Sequence, residues 1–173
     1  MGVAPILLAV QPKTGYVYVA SAADARDARG FLHVGYLSVI NGTEVITHLV
    51  IGGLPWSLFS NPVDARVYAG HSPVEFGTNK PSSGMLSIIS GKQSITRVAL
   101  YSDMQGMIPE INANKNTGEI YLIHNNTLIY WDGKAVVKRL NFGERGYTID
   151  RGLAVDTQRG LAYVCIAQGH VFV

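Results

Sequence analysis

Five residues combine side-chain chemistry with related positions in the chain: Trp56, Glu110, Arg151, His71 and His124. His71 and His124 each stand three residues after a tyrosine, Tyr68 and Tyr121, in segments that otherwise read alike. Two imidazoles at matching places would suit a metal or a proton-transfer step, because histidine titrates near neutral pH and ligates metals readily. A four-coordinate zinc, however, needs about three protein ligands at ~2.0–2.3 Å. The other two matching places hold Ser21 and Ile166, so structural or solvated histidines are the simpler expectation. Trp56 and Glu110 each follow a proline, Pro55 and Pro109, and Arg151 occupies the aligned place in a later segment. Set around one opening, these three would hold a polar ligand by stacking and by charge. Without such an opening the indole packs and the two charges are solvated or paired.

Other motifs promise less. Asn112-x-Asn114-x-Asn116-x-Gly118 has the spacing of a calcium loop, but three amides and Glu119 make a poor cage for a cation that prefers carboxylates. A plain hairpin turn is expected there. Asn41-Gly42-Thr43 and Asn125-Asn126-Thr127 fit the N-glycosylation acceptor pattern, and both fall in predicted turns. The single cysteine, Cys165, aligns with Ala20 and Gly70 and is expected in the core as a small hydrophobe. It permits no internal disulfide and no cysteine-based zinc site. No nucleophile elbow, phosphate loop, dinucleotide fingerprint or zincin helix is present. No metal site, cofactor or catalytic residue is therefore assigned, and the reading leans against an enzyme.

Composition narrows the field further. The 173 residues carry 14 Lys+Arg and 12 Asp+Glu, a net charge of +2 with no basic run, so no nucleic-acid footprint exists. Apolar content of 47% with only 15% charge argues against disorder. No apolar stretch approaches the ~20 residues that span a bilayer, so no membrane span is expected. The apolar run at 6–10 is too short for a signal-peptide core.

The elements that must position these residues come from an internal repeat. Segments 8–18 (LAVQPKTGYVY), 58–68 (LFSNPVDARVY), 111–121 (INANKNTGEIY) and 153–163 (LAVDTQRGLAY) align without gaps. Their tyrosines are 50, 53 and 42 residues apart. Further apolar runs follow, the first three ending in Asn41-Gly42, Ser90-Gly91 and Asp132-Gly133. X-Gly between apolar runs is a strong hairpin signal. Each unit thus reads as four short strands with almost no helix, at the period typical of propeller blades. Two longer segments, Ser21 to His33 and His71 to Gly84, read as loops.

The segments resemble YVTN-type β-propeller repeats, a group similar to the NHL and WD repeats. Gln11-Pro12-Lys13-Thr14-Gly15, Val17-Tyr18-Val19-Ala20 and Leu37-Ser38-Val39-Ile40-Asn41-Gly42 carry the likeness first. Asn61-Pro62, Val67-Tyr68-Ala69 and Leu86-Ser87-Ile88-Ile89-Ser90-Gly91 carry it again. The last two units are looser, with Lys115 and Thr157 in place of the turn proline. The resemblance implies an all-β propeller segment with blades at about 3–53, 54–107, 108–149 and an incomplete 150–173. The fourth unit stops inside its third strand. The expectation is therefore a piece of a longer polypeptide, a chain closed by another protein chain, or a compact small assembly.

Functionally, the resemblance implies an extracellular or periplasmic scaffold that binds a ligand or partner protein through its loop face. Trp56, Glu110, Arg151, His71 and His124 would lie at that face. The rival it implies is a propeller subunit of a periplasmic enzyme. That would resemble the large subunit of amine dehydrogenases, whose redox cofactor lies on a partner, or a lyase or lactonase with a metal at the channel mouth.

Overall fold

The computed structural model describes residues 4–27, 30–72, 84–100 and 108–173, with the backbone alone at 24–27, 30–33 and 150. It is all-β, built from four antiparallel sheets in which each strand pairs with the next in sequence. The first sheet holds β1 (Ala4–Val10), β2 (Val17–Asp27), β3 (Gly30–Asn41) and β4 (Glu44–Gly52). The second holds β5 (Pro55–Ser60), β6 (Arg66–His71), β7 (Met85–Ser90) and β8 (Ser94–Ala99). The third holds β9 (Glu110–Ala113), β10 (Ile120–His124), β11 (Thr127–Trp131) and β12 (Val136–Asn141). The fourth has three strands, β13 (Ile149–Asp156), β14 (Leu161–Ile166) and β15 (His170–Phe172). A 3₁₀ turn, Gly143–Arg145, lies between the third and fourth sheets.

Local chemistry makes the hairpins. In each sheet the first turn begins with an amide or carboxylate side chain that accepts the backbone N–H two residues on. The pairs are Gln11 with Lys13, Asn61 with Val63, Asn114 with Asn116 and Asp156 with Gln158, at 2.9–3.0 Å. This is the Asx-type bond that favours a turn over continued strand. The turn closes on a left-handed residue, Gly15, Gly118 or Gly160, and on Ala65 in the second sheet.

Alternation then gives each sheet one face toward the preceding sheet and one toward the following sheet. The facing surfaces make three apolar layers. Tyr18, Leu37, Val39 and Ile51 of the first sheet pack on Val67, Ala69 and Ile89 of the second. Tyr68, Leu86 and Ile88 pack on Ile120, Leu122 and Trp131 of the third. Ile123, Leu128 and Phe142 pack on Leu153 and Val164 of the fourth. A buried Leu or Ile contributes about 1.5–3 kcal/mol, so these layers are the main source of cohesion between sheets. The opening strands β1, β5, β9 and β13 also touch in chain order.

Polar bonds stitch the same joints. Gln11 Nε2 donates to Ser60 Oγ at 2.9 Å and to the Asn61 carbonyl at 3.0 Å. Asn61 Nδ2 donates to the Gly118 carbonyl at 2.9 Å, and Asn116 Nδ2 to the Thr157 carbonyl at 2.9 Å.

Two expectations change. Residues 21–27 and 30–33 are strand, not loop: β2 and β3 pair residue by residue from Val17–Ile40 to Asp27–Gly30. The ladder pairs the backbone groups that face across the hairpin, and the alternating charges do not interrupt it. Cys165 is exposed, not in the core, because it lies on the fourth sheet's outer face and no described residue stacks there. Of the expected loop from His71 to Gly84, residues 73–83 lie outside the described residues.

Candidate functional site

Strand register places all five singled-out residues at one end of their sheets. Pro55, before Trp56, pairs with His71. Glu110 pairs with Ile123, before His124. Ile149, two residues before Arg151, pairs with Ile166. This is the end opposite the Asx-type turns.

Within that end they differ sharply in access. Arg151 is exposed, and Trp56 and Glu110 are half-buried. His71 and His124 are buried, at 1% and 0% exposure. Glu110 Oε2 accepts the Leu153 backbone N–H at 2.7 Å, a charge-assisted bond from the third sheet to the fourth. In the second sheet's opening strand, Ser57 Oγ donates to the Ile108 carbonyl at 2.7 Å. Trp56 Nε1 is buried and meets no acceptor among the described residues.

His71 has a defined structural task. Its Nδ1 lies 2.7 Å from the Ser72 carbonyl, which can only accept, so Nδ1 carries a proton. Nε2 lies 2.8 Å from Ser87 Oγ, whose hydroxyl donates to the Ile51 carbonyl. The Ile51 carbonyl, 3.1 Å from Ser87 Oγ, also receives Arg97 Nε at 3.3 Å. The ring presses on Gly52, where an added Cβ would lie 2.4 Å from Cε1. Burial lowers the imidazole below its ordinary 6.5; the bond to Ser72 opposes this, and Arg97 adds to it. His71 is thus a neutral bracket joining the end of β4 to β6 and β7.

The remaining motifs resolve as turns and surface. In Asn112–Gly118, Asn114 Oδ1 caps its own turn and Asn112 Nδ2 donates to the Leu153 carbonyl at 3.1 Å. Asn41 and Asn125 are exposed at hairpin turns. Among the described residues no group of three His, Cys, Asp or Glu could hold a metal ion. Among them too, no helix is long and apolar enough to cross a membrane.

No protein-family model matches the chain, and no curated protein matches it.

Two clefts went unnoticed in the sequence. One, of about 230 Å³, lies between the turns of the second and third sheets and is lined by Asp64, Arg66, Glu119, Asp132 and Lys134. Its acids are already engaged. Tyr68 donates to Asp64 at 2.5 Å, Tyr130 to Glu119 at 2.6 Å, and the Lys134 and Ala135 amides to Asp132 at 2.8–2.9 Å. The other, of about 270 Å³, is mostly apolar and includes Tyr121, Tyr130, Leu140, Leu161 and Val173. It lies where the fourth sheet, with three strands, leaves the outer part of the third sheet uncovered. Only the alignment of the turns could have paired such distant residues.

Proposed function

We propose that the four sheets are successive blades of a YVTN-type β-propeller. In this reading the chain is an extracytoplasmic scaffold that binds a ligand or partner protein at the sheet ends carrying Trp56, Glu110 and Arg151. The observation that carries it is the ordered contact of β1, β5, β9 and β13, with one apolar layer between each pair of consecutive sheets. Radial stacking of four-stranded meanders gives that pattern, and it gathers the opening residues around one axis.

At that axis an exposed guanidinium, a carboxylate and a half-buried indole form a surface for a small acid, a zwitterion or a peptide end. His71 and His124 lie behind it and hold its shape. The exposed Asn41 and Asn125 turns support a location outside the cytoplasm.

A thermal-shift screen of carboxylates and zwitterions tests this reading, run on the wild type and on the double variant Trp56→Ala/Arg151→Ala. A stabilising compound should lose its effect in the variant while the variant's own melting temperature stays within a few degrees. Equal stabilisation of both proteins refutes the assignment.

A further inference from the structure

We infer that the cleft between the turns of the second and third sheets is a binding site for a small neutral polyol, a single sugar ring. It lies at the end of the sheets opposite Trp56, Glu110 and Arg151. It is therefore a second site, and it stands or falls apart from the first.

The cleft offers both kinds of hydrogen-bonding group. Asp64, Glu119 and Asp132 supply carboxylates, and Arg66 and Lys134 supply cations. The carboxylates are held by the protein itself. Asp64 accepts the Arg66 backbone N–H at 2.9 Å and the Tyr68 hydroxyl at 2.5 Å. Glu119 accepts the Tyr130 hydroxyl at 2.6 Å on one oxygen and the Thr117 hydroxyl at 2.8 Å on the other. Asp132 accepts the Lys134 amide at 2.9 Å and the Ala135 amide at 2.8 Å. These bonds fix the direction of each carboxylate and use two of its roughly four lone-pair sites. The amides of Ala135 and Lys134 also hold the Asp132 carboxyl below its usual range, which keeps it an acceptor.

Arg66 is held as well. Its Nη1 lies 3.5 Å from the Gly133 carbonyl and 4.0 Å from Asp64 Oδ2, while a guanidinium also carries donors on Nε and Nη2. The Arg66 and Asp64 side chains are 41% and 26% exposed, so water screens their hydrogen bonds less than on open surface. Groups already held in place lose little freedom when a ligand arrives.

Charge decides what such a cleft accepts. Three carboxylates against two cations leave a net charge of −1, which opposes an anion. An organic cation is repelled by Arg66 and Lys134. A metal ion needs converging acids, and among the described residues no group of three His, Cys, Asp or Glu could hold one. A neutral ligand with adjacent hydroxyls uses both sets at once. Each hydroxyl donates to a carboxylate oxygen and accepts an N–H from the guanidinium or the ammonium. The cleft's volume is about 230 Å³. Sites for drug-sized ligands run to ~300–1,000 Å³, so this one suits one ring rather than a chain of them.

An amide NMR titration of the isotope-labelled protein with glucose, galactose and mannose tests this, with butylammonium and glucuronate as charged comparators. At least one hexose should shift the amides of Gly118, Gly133 and Lys134, with a dissociation constant of about 1–10 mM, as about twelve non-hydrogen atoms allow. Glu119→Gln and Arg66→Met should each raise that constant about 10-fold or more, the scale of a lost charged hydrogen bond. Lys134→Met, at an exposed turn where folding is not at stake, should raise it about 3-fold. Unchanged amide positions away from the cleft report that each variant is folded.

No shift of those three amides with any hexose up to about 100 mM, well above the expected constant, overturns the site. So does tighter binding of butylammonium or glucuronate than of every hexose. Hexose binding that none of the three variants weakens overturns it too.

Discussion

Replacing Gly70 by alanine puts a methyl carbon 2.5 Å from Ser57 Oγ, 2.7 Å from Ile108 Cβ and 2.9 Å from Ile108 Cγ2. Ser57 and Ile108 are already joined across the second and third sheets by a 2.7 Å hydrogen bond. Neither can retreat alone: Ser57 is fixed in β5, and Ile108 is completely buried. The sheets must part, or the bond must break. Overpacking of this size costs about 1–3 kcal/mol, and a buried carbonyl left without its donor costs about 1–3 kcal/mol. With partial relaxation the expected loss is about 2–4 kcal/mol, a large share of the 5–15 kcal/mol typical of a domain. Urea unfolding should show a lower midpoint with an unchanged slope. Gly91→Ala is the control. It has nothing within 4 Å and a φ of +61°, so only the left-handed backbone is penalised, by about 1 kcal/mol. In a Ser57→Ala background the nearest clash disappears, and Gly70→Ala should cost about 1 kcal/mol less than in the wild type. If Gly70→Ala costs no more than Gly91→Ala, the close approach of β5, β6 and residue 108 is wrong, and the inter-sheet joint is wrong with it.

Three further outcomes follow from other joints. His71 is held below its ordinary 6.5, so the unfolded chain binds a proton that the folded chain does not. Stability should be complete above about pH 6.5 and fall on acidification below it by up to about 1.4 kcal/mol per pH unit; His71→Gln should flatten that part of the curve. Ala65 adopts φ +59° where the other sheets place glycine, so Ala65→Gly should stabilise by up to about 1 kcal/mol once the added freedom of the unfolded chain is counted. Gly118→Ala should do the reverse, since its φ is +81° and a Cβ would lie 3.0 Å from Val63 Cβ; thermal melts of the two variants give opposite signs or the turn assignment fails. The Glu119 carboxylate, bonded to the Tyr130 hydroxyl, pushes that phenol up to about 12. A spectrophotometric titration should show one tyrosine titrating there, returning toward 10 in Glu119→Gln.

What could be read in the sequence was what repeats locally. The Asn, Gln or Asp opening each turn, the glycine closing it and the tyrosine ending the next apolar run act within about ten residues, so their spacing exposes them. Strand pairing within each sheet follows from those turns. Segment 21–33 was misread because its charges look like loop composition, although backbone pairing from Ala22–Gly35 to Asp27–Gly30 needs no apolar side chain. The burial of His71 was equally hidden. It depends on Gly52 and Ile51 of the preceding sheet, about twenty residues away, and on Ser87 beyond the segment at 73–83. The polar cleft between Asp64 and Glu119 joins two turns that no local pattern connects.

One position, taken through all four sheets, separates what a repeat dictates from what its surroundings decide. Ala20, Gly70, Ile123 and Cys165 occupy equivalent places in the second strands, all on the face toward the following sheet. Ala20 is completely buried against the second sheet. Gly70 must be glycine because Ile108 crosses directly above it. Ile123 packs against the fourth sheet, where Leu153 and Val164 receive it. Cys165 has the same backbone setting but no sheet beyond it among the described residues, and it is exposed. Alignment alone gives a core residue four times; the neighbour determines whether that residue is squeezed, accommodated or bare. Its accessibility makes Cys165 a reporter of the fourth sheet's outer face. Its reaction with a thiol reagent should be fast in the folded protein, and a protected thiol would mean that this face is covered.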